Sequence, residues 1–223
     1  MIIVHHLNNS RSQRILWLLE ELGLPYEVKR YQRDARTMLA PPELRAVHPL
    51  GKSPVISDGD VTLAESGAIV EYLAGKYGRE KLVPAEGTPE RLRYTYWMHF
   101  AEGSMMPPLL LKLIFDRIES GPMPFFVRPI ARKISGTAKN IMVLPNLKRL
   151  LDFMEDELGT REWFAGAAFS AADIQMSFPL EAAAARGGLD EKRPRLWAFL
   201  KTIHARPAYQ RALEKGGKYE LLR

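Results

Sequence analysis

The sequence contains no cysteine among its 223 residues. This absence excludes disulfide bonds, thiolate metal sites and a cysteine nucleophile, so any sulfur chemistry must use a thiol that a substrate brings. Histidine does not supply a metal site either, because the histidines lack the spacing of metal ligands, and we expect no metal. They are His5, His6, His48, His99 and His204.

Long hydrophobic runs are also missing. No apolar stretch approaches the ~18 residues that a membrane-spanning helix needs. The first residues, Met1-Ile2-Ile3-Val4, run directly into two histidines and do not resemble a signal peptide. We therefore expect a cytoplasmic protein.

Signals for nucleic acids and nucleotides are weak, although the net charge is +6. Lysine and arginine are scattered among carboxylates, and no basic motif with interleaved aromatic residues occurs. The densest basic stretch, between Arg128 and Lys139, is typical of a solvated helix face. Gly51-Lys52-Ser53 resembles the end of a phosphate loop, but the glycine required five residues upstream is replaced by Ala46. The surplus of positive charge would still attract small anionic substrates.

What the sequence does contain is enough apolar residues, 46% of the total, for one large or two modest domains. Residues 2–7 predict a strand, and apolar residues at helical spacing predict a helix that ends at Gly23. Tyr26 to Tyr31 predicts a second strand. A strand, helix and strand of this length predict a right-handed crossover with two parallel strands.

The next segment predicts a hairpin followed by a helix. Pro41 to Leu44 begins a short helix, and the apolar runs 55–57 and 61–63 flank Asp58-Gly59, a strong hairpin signal. Ser66 to Tyr77 has one apolar helical face. The predicted order of elements is therefore βαβαββα, within a domain of residues 1–80.

Strand signals vanish after the segment 78–88, where glycine, proline and charge mark a domain boundary. Helices are predicted from Pro89, around 147–158, and over 194–205 and 207–215, with Pro107-Pro108 ending or kinking the first of them. Ser170 and Asp173 have the spacing of a capping box ahead of an internal helix. The second predicted domain, residues 88–223, is all helical.

One loop predicts a binding edge. His48-Pro-Leu-Gly-Lys-Ser-Pro-Val-Ile places Pro54 at the first residue of an apolar strand, where proline need not donate to the sheet ladder. A cis Ser53-Pro54 bond would turn the main-chain N–H and C=O of Ser53 outward, toward an extended peptide-like ligand.

Three separated motifs resemble those of the cytosolic glutathione transferases, over essentially the whole chain. The Pro54 loop resembles the family's Asn-Pro-x-Gly-x-Val-Pro loop, Glu65-Ser66 resembles its second glutathione-binding element, and the stretch from Phe164 to Asp173 resembles its helical capping motif. The tract from Leu7 to Pro54 is most similar to a serine-type branch found in bacteria and fungi. His48, Ser53 and Ala167 depart from the family pattern.

The resemblance implies a thioredoxin-like first domain that binds glutathione and a helical domain that contributes the electrophile site. It also implies that Ser10 is the catalytic hydroxyl that stabilises the glutathione thiolate. Ser10 with Gln13 also fits a capping box, and Ser12 could cap the same helix, so Ser12 and the Arg11 N–H remain alternative donors. The expected glutathione ligands are Arg11, Lys52, Ser53, Pro54, Glu65 and Ser66. Met105 and Met106 fall where relatives line the electrophile pocket, with core packing as the rival interpretation.

The resulting hypothesis is a homodimeric enzyme that adds the glutathione thiolate to hydrophobic electrophiles, with no cofactor beyond glutathione as co-substrate. A glutathione-dependent peroxidase would use the same site, and a non-enzymatic binding or interaction protein would keep only the fold. The dimer is implied by the resemblance alone. No nucleic acid and no transmembrane segment are expected among its partners and features.

Overall fold

The computed structural model describes residues 1–34, 36, 37 and 39–221, without the side chain of Glu80. Its first part contains a four-stranded sheet with the order β2-β1-β3-β4. The elements are β1 (Ile2–Leu7), α1 (Ser12–Leu22), β2 (Tyr26–Tyr31), α2 (Pro42–Val47), β3 (Val55–Asp58), β4 (Val61–Ala64) and α3 (Ser66–Tyr77). The predicted βαβαββα order is confirmed.

The pairing of the strands also agrees with the prediction. β1 is parallel to β2, with Ile2 opposite Tyr26, and antiparallel to β3, with Val4 opposite Ile56. β3 and β4 form the antiparallel hairpin expected at Asp58-Gly59. Gly59 has a φ of 61°, a left-handed conformation that glycine adopts without strain.

The rest of the described chain is helical. Its elements are α4 (Arg79–Leu82), α5 (Pro89–Phe100), α6 (Met106–Ser120), α7 (Arg128–Ala138), α8 (Leu144–Glu157), α9 (Ala171–Ala182), α10 (Pro194–His204) and α11 (Pro207–Gly216), with π-helical turns at Ala101–Met105, Lys139–Val143 and Ala183–Gly187. Pro107 and Pro108 lie in the first turn of α6, where their missing N–H groups are not required. The α-helical geometry that begins at Pro89 thus ends before them, as predicted.

One apolar core runs through both parts of the molecule. Residues Ser12 to Glu20 of α1 are all buried, because the sheet covers one side of the helix while α9 and α11 pack on the other. Trp17 contacts Tyr209 of α11 edge to face, with ring centroids 5.1 Å apart. The loop between β1 and α1 is consequently held rigidly beside the helical part.

The helix α9 is the centre of the helical part, since all its residues from Ala171 to Ala182 are buried. Asp173 fixes its start by accepting hydrogen bonds from Phe164 N at 2.9 Å, Ser170 N at 2.8 Å and Ser170 Oγ at 3.0 Å. The predicted Ser170 and Asp173 motif is confirmed. Within the described chain, no helix is both long and apolar enough to cross a membrane.

Candidate active site

The Pro54 loop lies at the edge of the sheet, immediately before β3. The Ser53-Pro54 peptide bond is cis. The Ser53 hydroxyl donates to His5 O at 3.0 Å and accepts from Leu7 N at 3.3 Å, which fastens the loop to β1. In the described part of the chain, the main-chain N–H and C=O of Ser53 have no hydrogen-bond partner. These two groups can therefore bind an extended ligand.

The start of α3 lies close to this loop. Glu65 has a φ of 71°, an uncommon conformation for a residue other than glycine, and such residues cluster at binding sites. Ile69 N donates to Glu65 O at 2.9 Å, and no side chain caps the helix. Because the N–H groups of a first helical turn lack intrahelical partners, this helix start is suited to an anion.

Ser66 is the first residue of α3 rather than its cap. It is 3% exposed, and its hydroxyl accepts a hydrogen bond from Arg14 Nη1 at 3.1 Å. An arginine that donates to the hydroxyl oxygen leaves the hydroxyl proton available to a ligand oxygen. The Ser66 side chain therefore does not cap the helix.

A small cavity of about 200 Å³ brings together the residues that the sequence analysis assigned to glutathione. It is lined by Arg11, Lys52, Ser53, Pro54, Ala64, Glu65, Ser66 and Glu102. Lys52 and Glu65 are exposed, and neither has an ion-pair partner in the described part of the chain. A cation and a carboxylate are thus both available to a zwitterionic ligand.

An ion-pair cluster of Arg11, Arg14 and Glu102, of which Arg11 and Glu102 line this cavity and Arg14 is buried behind them, was missed by sequence reasoning. Arg14 is 1% exposed and donates to Glu102 Oε1 at 2.6 Å, while Arg11 Nε donates to Glu102 Oε2 at 3.0 Å. Burial alone would raise the pKa of Glu102, but Arg14 and Arg11 outweigh it, so the pKa lies below the usual value. Glu102 is therefore ionised and fixes both arginines.

Ser10 lies behind the Pro54 loop. Its side chain is 4% exposed, with Oγ 2.7 Å from Ser12 Oγ and 3.4 Å from Ser53 Oγ, and it accepts from Ser12 N at 3.2 Å. Ser10 is not among the lining residues of the small cavity. It adjoins the cavity through its contact with Ser53.

Ser12 lies deeper in the protein than Ser10. It is fully buried, and its hydroxyl is 2.9 Å from His6 Nδ1. Burial, with a smaller effect of the Arg30 charge, lowers the pKa of His6 to about 4, so this histidine is neutral at neutral pH. The capping box expected for Ser10 and Gln13 does not form, because the amide of Gln13 has no hydrogen-bond partner in the described chain.

A larger cavity of about 820 Å³ shares Arg11 and Glu102 with the small one. Met106, Pro107, Leu110 and Leu113 of α6 line it, together with Phe178 of α9. The two methionines proposed for an electrophile pocket are separated here. Met106 lies in the cavity wall, whereas Met105 is fully buried in the core and does not line the cavity.

Comparisons with known proteins agree with this geometry. The family model for the glutathione S-transferase N-terminal domain matches residues 1–75, and that for the C-terminal domain matches residues 130–202. Glutathione S-transferase 3 of Schizosaccharomyces pombe is 41% identical over 96% of this chain and 88% of its own length. Glutathione S-transferase 1 of Saccharomyces cerevisiae is 35% identical over 96% of this chain and 95% of its own length.

A solved structure of a glutathione S-transferase from Actinobacillus pleuropneumoniae is 35% identical and superposes with a TM-score of 0.78. The match covers 100% of this chain and 96% of that one. The Pro54 loop, the open start of α3 and the two adjoining cavities thus occur in a chain whose sequence and fold both match one family. The chain belongs to the glutathione S-transferases.

Proposed function

We propose that this protein conjugates the thiolate of glutathione to a largely apolar electrophile. The observation that carries the proposal is the convergence of Arg11, Lys52, Ser53, Glu65 and Ser66 on one small cavity, beside a larger cavity with apolar walls. In the reaction, the sulfur forms a bond to the electrophilic carbon, and a leaving group or electron pair departs from that carbon. The thiol proton passes to water.

The two other functions considered for this site receive less support. A peroxidase would use the same thiolate, but the curated relatives with more than 30% identity are named transferases. A non-enzymatic glutathione-binding protein would have no need of a second cavity beside the glutathione site. Transfer to an electrophile uses both cavities and agrees with the names of these relatives.

Glutathione is proposed to lie along the Pro54 loop with its γ-glutamyl end at the start of α3. Its α-carboxylate would meet the Ser66 hydroxyl and the free N–H groups of the first helical turn, and Glu65 would take its ammonium group. The main chain of Ser53 would pair with the peptide, and Lys52 would meet the glycine carboxylate as a point charge. No metal or other cofactor takes part in this scheme.

Ser10 is the residue proposed to donate a hydrogen bond to the glutathione thiolate. Its contact with Ser53 and its position at the N-terminal end of α1 support this role. Lowering a thiol pKa of ~8.5 by ~2 units requires about 2.7 kcal/mol of preferential thiolate stabilisation. A hydrogen bond to a charged group contributes ~1.5 to 3 kcal/mol, and a helix N-terminus adds ~0.3 to 1 kcal/mol. Together these two effects are sufficient.

The glutathione assignment predicts that Ser66→Ala weakens binding of glutathione by at least about tenfold. Loss of a hydrogen bond to a charged group costs ~1.5 kcal/mol or more, which corresponds to that factor. Titration calorimetry on both proteins measures the change. Ser120→Ala is the matched control, because the Ser120 hydroxyl is exposed and donates only to Asp116 O on α6. Absence of binding by the wild type would contradict the proposed function, whereas equal binding by Ser66→Ala would contradict the role given to Ser66.

A homodimer is the second expectation. It follows from the resemblance, in which the first domain, residues 1–80, meets the partner's helical domain, residues 88–223. The exposed face of α5 supports it, since Leu92 is 74% exposed and Tyr96, four residues later, is 48% exposed. Light scattering should report about twice the chain mass of 25.3 kDa. A particle of one chain mass at micromolar concentration would rule the dimer out.

The cytoplasmic location expected from the sequence also stays a prediction.

A further inference from the structure

The larger cavity is apolar along one part of its wall and cationic along another. Met106, Leu110, Leu113 and Arg117 follow one another at helical spacing, so they share one face of α6. At ~1.5 Å per residue, Arg117 lies about 16 Å along the helix from Met106. The Arg117 backbone therefore lies beyond the part of the cavity wall that adjoins the glutathione site, and its long side chain tilts back along the cavity toward the start of α6.

Three more arginines line the same cavity, from three different segments of the chain. They are Arg11, Arg33 and Arg186. Burial, followed by the charges of Arg11 and Arg117, lowers the pKa of Arg33. Burial and the charge of Arg117 likewise lower the pKa of Arg186. These cations are close enough to one another for their charges to repel across the cavity.

The carboxylates in the described part of the wall do not pair with Arg117 or Arg186. Glu102 is already held by Arg11 and Arg14, and Glu220 pairs with Lys218 at 3.2 Å on the surface. Asp116, next to Arg117 in sequence, accepts from Lys112 and Lys139 at 2.7 and 2.8 Å. The cavity therefore carries an excess of positive charge.

Within the described part of the cavity wall, Arg117 and Arg186 form no ion pair. Neither has an ion pair with any residue that the structure describes, and Arg186 Nε is buried without a hydrogen-bond partner. A buried donor without a partner carries a desolvation cost, which a bound anion would remove. The planar guanidinium group suits a planar oxyanion such as a carboxylate, which it can bind through two parallel hydrogen bonds.

We propose that the electrophile carries an anionic group, of the carboxylate class, which binds between Arg117 and Arg186. The apolar body of the substrate would lie along Met106, Leu110 and Phe178, with its electrophilic carbon toward the glutathione sulfur. This proposal rests on the proposed function and adds the substrate class. A wholly neutral substrate would cover the two arginines without supplying an anion to pair with their charges.

A pair of matched electrophiles tests the proposal. The anionic one is a chlorodinitrobenzoate with chlorine para to the carboxylate, and the neutral one is its methyl ester. In both, the glutathione sulfur bonds to the ring carbon, chloride leaves with the bonding electrons, and the thiol proton goes to water. Each kcat/KM is divided by the uncatalysed rate constant with glutathione at the same pH, because the ester activates the ring more strongly.

The wild type should prefer the carboxylate by roughly tenfold after this normalisation, the factor expected for one charged hydrogen-bonding contact. Arg117→Gln and Arg186→Gln should each lower the ratio of carboxylate to ester by a similar factor, chiefly through KM for the carboxylate. Arg149→Gln, at an exposed position on α8, should leave the ratio unchanged. The preference should also decline with added salt, which screens the attraction.

The outcomes separate this proposal from the proposed function. Equal normalised rates for the two electrophiles in the wild type, with no effect of salt on their ratio, would overturn the anionic substrate class and leave conjugation intact. The same conclusion holds if Arg117→Gln and Arg186→Gln slow both electrophiles equally. No catalysed turnover of either electrophile by glutathione-binding wild type would overturn both. The salt series uses wild type alone, so it tests the anionic substrate class even where a variant does not fold.

Discussion

Asp173→Ala should lower the free energy of unfolding by about 3 to 5 kcal/mol, the largest stability change expected in this chain. Asp173 is fully buried, and its carboxylate accepts hydrogen bonds from Phe164 N, Ser170 N and Ser170 Oγ. Alanine would leave these donors buried without an acceptor at the start of a fully buried helix. Domains are stable by only ~5 to 15 kcal/mol, so the variant would unfold far more readily.

Urea unfolding followed by tryptophan fluorescence, at one fixed protein concentration, measures the loss. Asp190→Ala is the matched control, because the exposed Asp190 carboxylate also accepts from a main-chain N–H, that of Lys192 at 3.0 Å. That surface change should stay within ~0.5 kcal/mol of wild type. A comparable loss in both variants would show that burial of the Asp173 carboxylate is not the cause.

The pH dependence of the same site gives a second readout. Burial raises the pKa of Asp173 to about 6, against an ordinary 3.8, although its hydrogen bonds act in the opposite direction. The folded chain then holds this proton more tightly than the unfolded chain, so the stability contributed by the group falls as pH rises from about 4 to about 6. Relative to Asp173→Asn, which does not titrate, wild type should lose stability over that window. A gain of stability over the same window would show that the three hydrogen bonds to the carboxylate outweigh the effect of burial on the pKa of Asp173.

Local sequence signals were sufficient for most of the architecture. Gly23 after α1, the Asp58-Gly59 turn and the Ser170 and Asp173 spacing each act over a few residues, so each could be recognised from the sequence. The proposed glutathione ligands could be named from the sequence because all of them except Arg11 lie in two short motifs, at the Pro54 loop and at Glu65-Ser66. The structure brings both motifs to one cavity.

Contacts between distant residues could not be predicted in this way. Arg14 meets Glu102 across 88 residues, and no spacing rule links two such positions. The sequence offered only a weak signal, an arginine directly before the apolar run that begins at Ile15 of α1. Met105 and Met106 illustrate a second limit. Adjacent helical residues point about 100° apart, so one can enter the core while the other lines a cavity, and only packing decides which.

Ser10→Ala should lower turnover with a standard electrophile by roughly ten- to a hundredfold at neutral pH, while glutathione binding changes far less. The hydroxyl is proposed to favour thiolate over thiol, so its loss of ~1.5 to 3 kcal/mol should appear as a higher apparent pKa of the bound thiol. The thiolate absorbance in the complex, followed across pH, measures that pKa. Steady-state rates over the same range measure turnover.

The rate loss in Ser10→Ala should shrink as the pH rises. Above the thiol pKa of the variant complex, both proteins hold thiolate, so the advantage that the hydroxyl confers through ionisation disappears. A rate loss that stays constant across pH would show that Ser10 acts in another way, for example by positioning the Pro54 loop through Ser53. The pH series therefore distinguishes thiolate stabilisation from a structural role.

Ser12→Ala is the control for the hydrogen-bonded chain behind Ser10. Ser12 is fully buried and contacts Ser10 and His6, so its loss should reduce stability without raising the thiol pKa by a comparable amount. A pH-dependent defect in Ser12→Ala but not in Ser10→Ala would make Ser12 the donor. If neither variant has such a defect, the serine assignment fails and the Arg11 N–H at the start of α1 becomes the donor. That outcome would agree with the structure in one respect, since Arg11 lines both cavities whereas Ser10 lies behind Ser53.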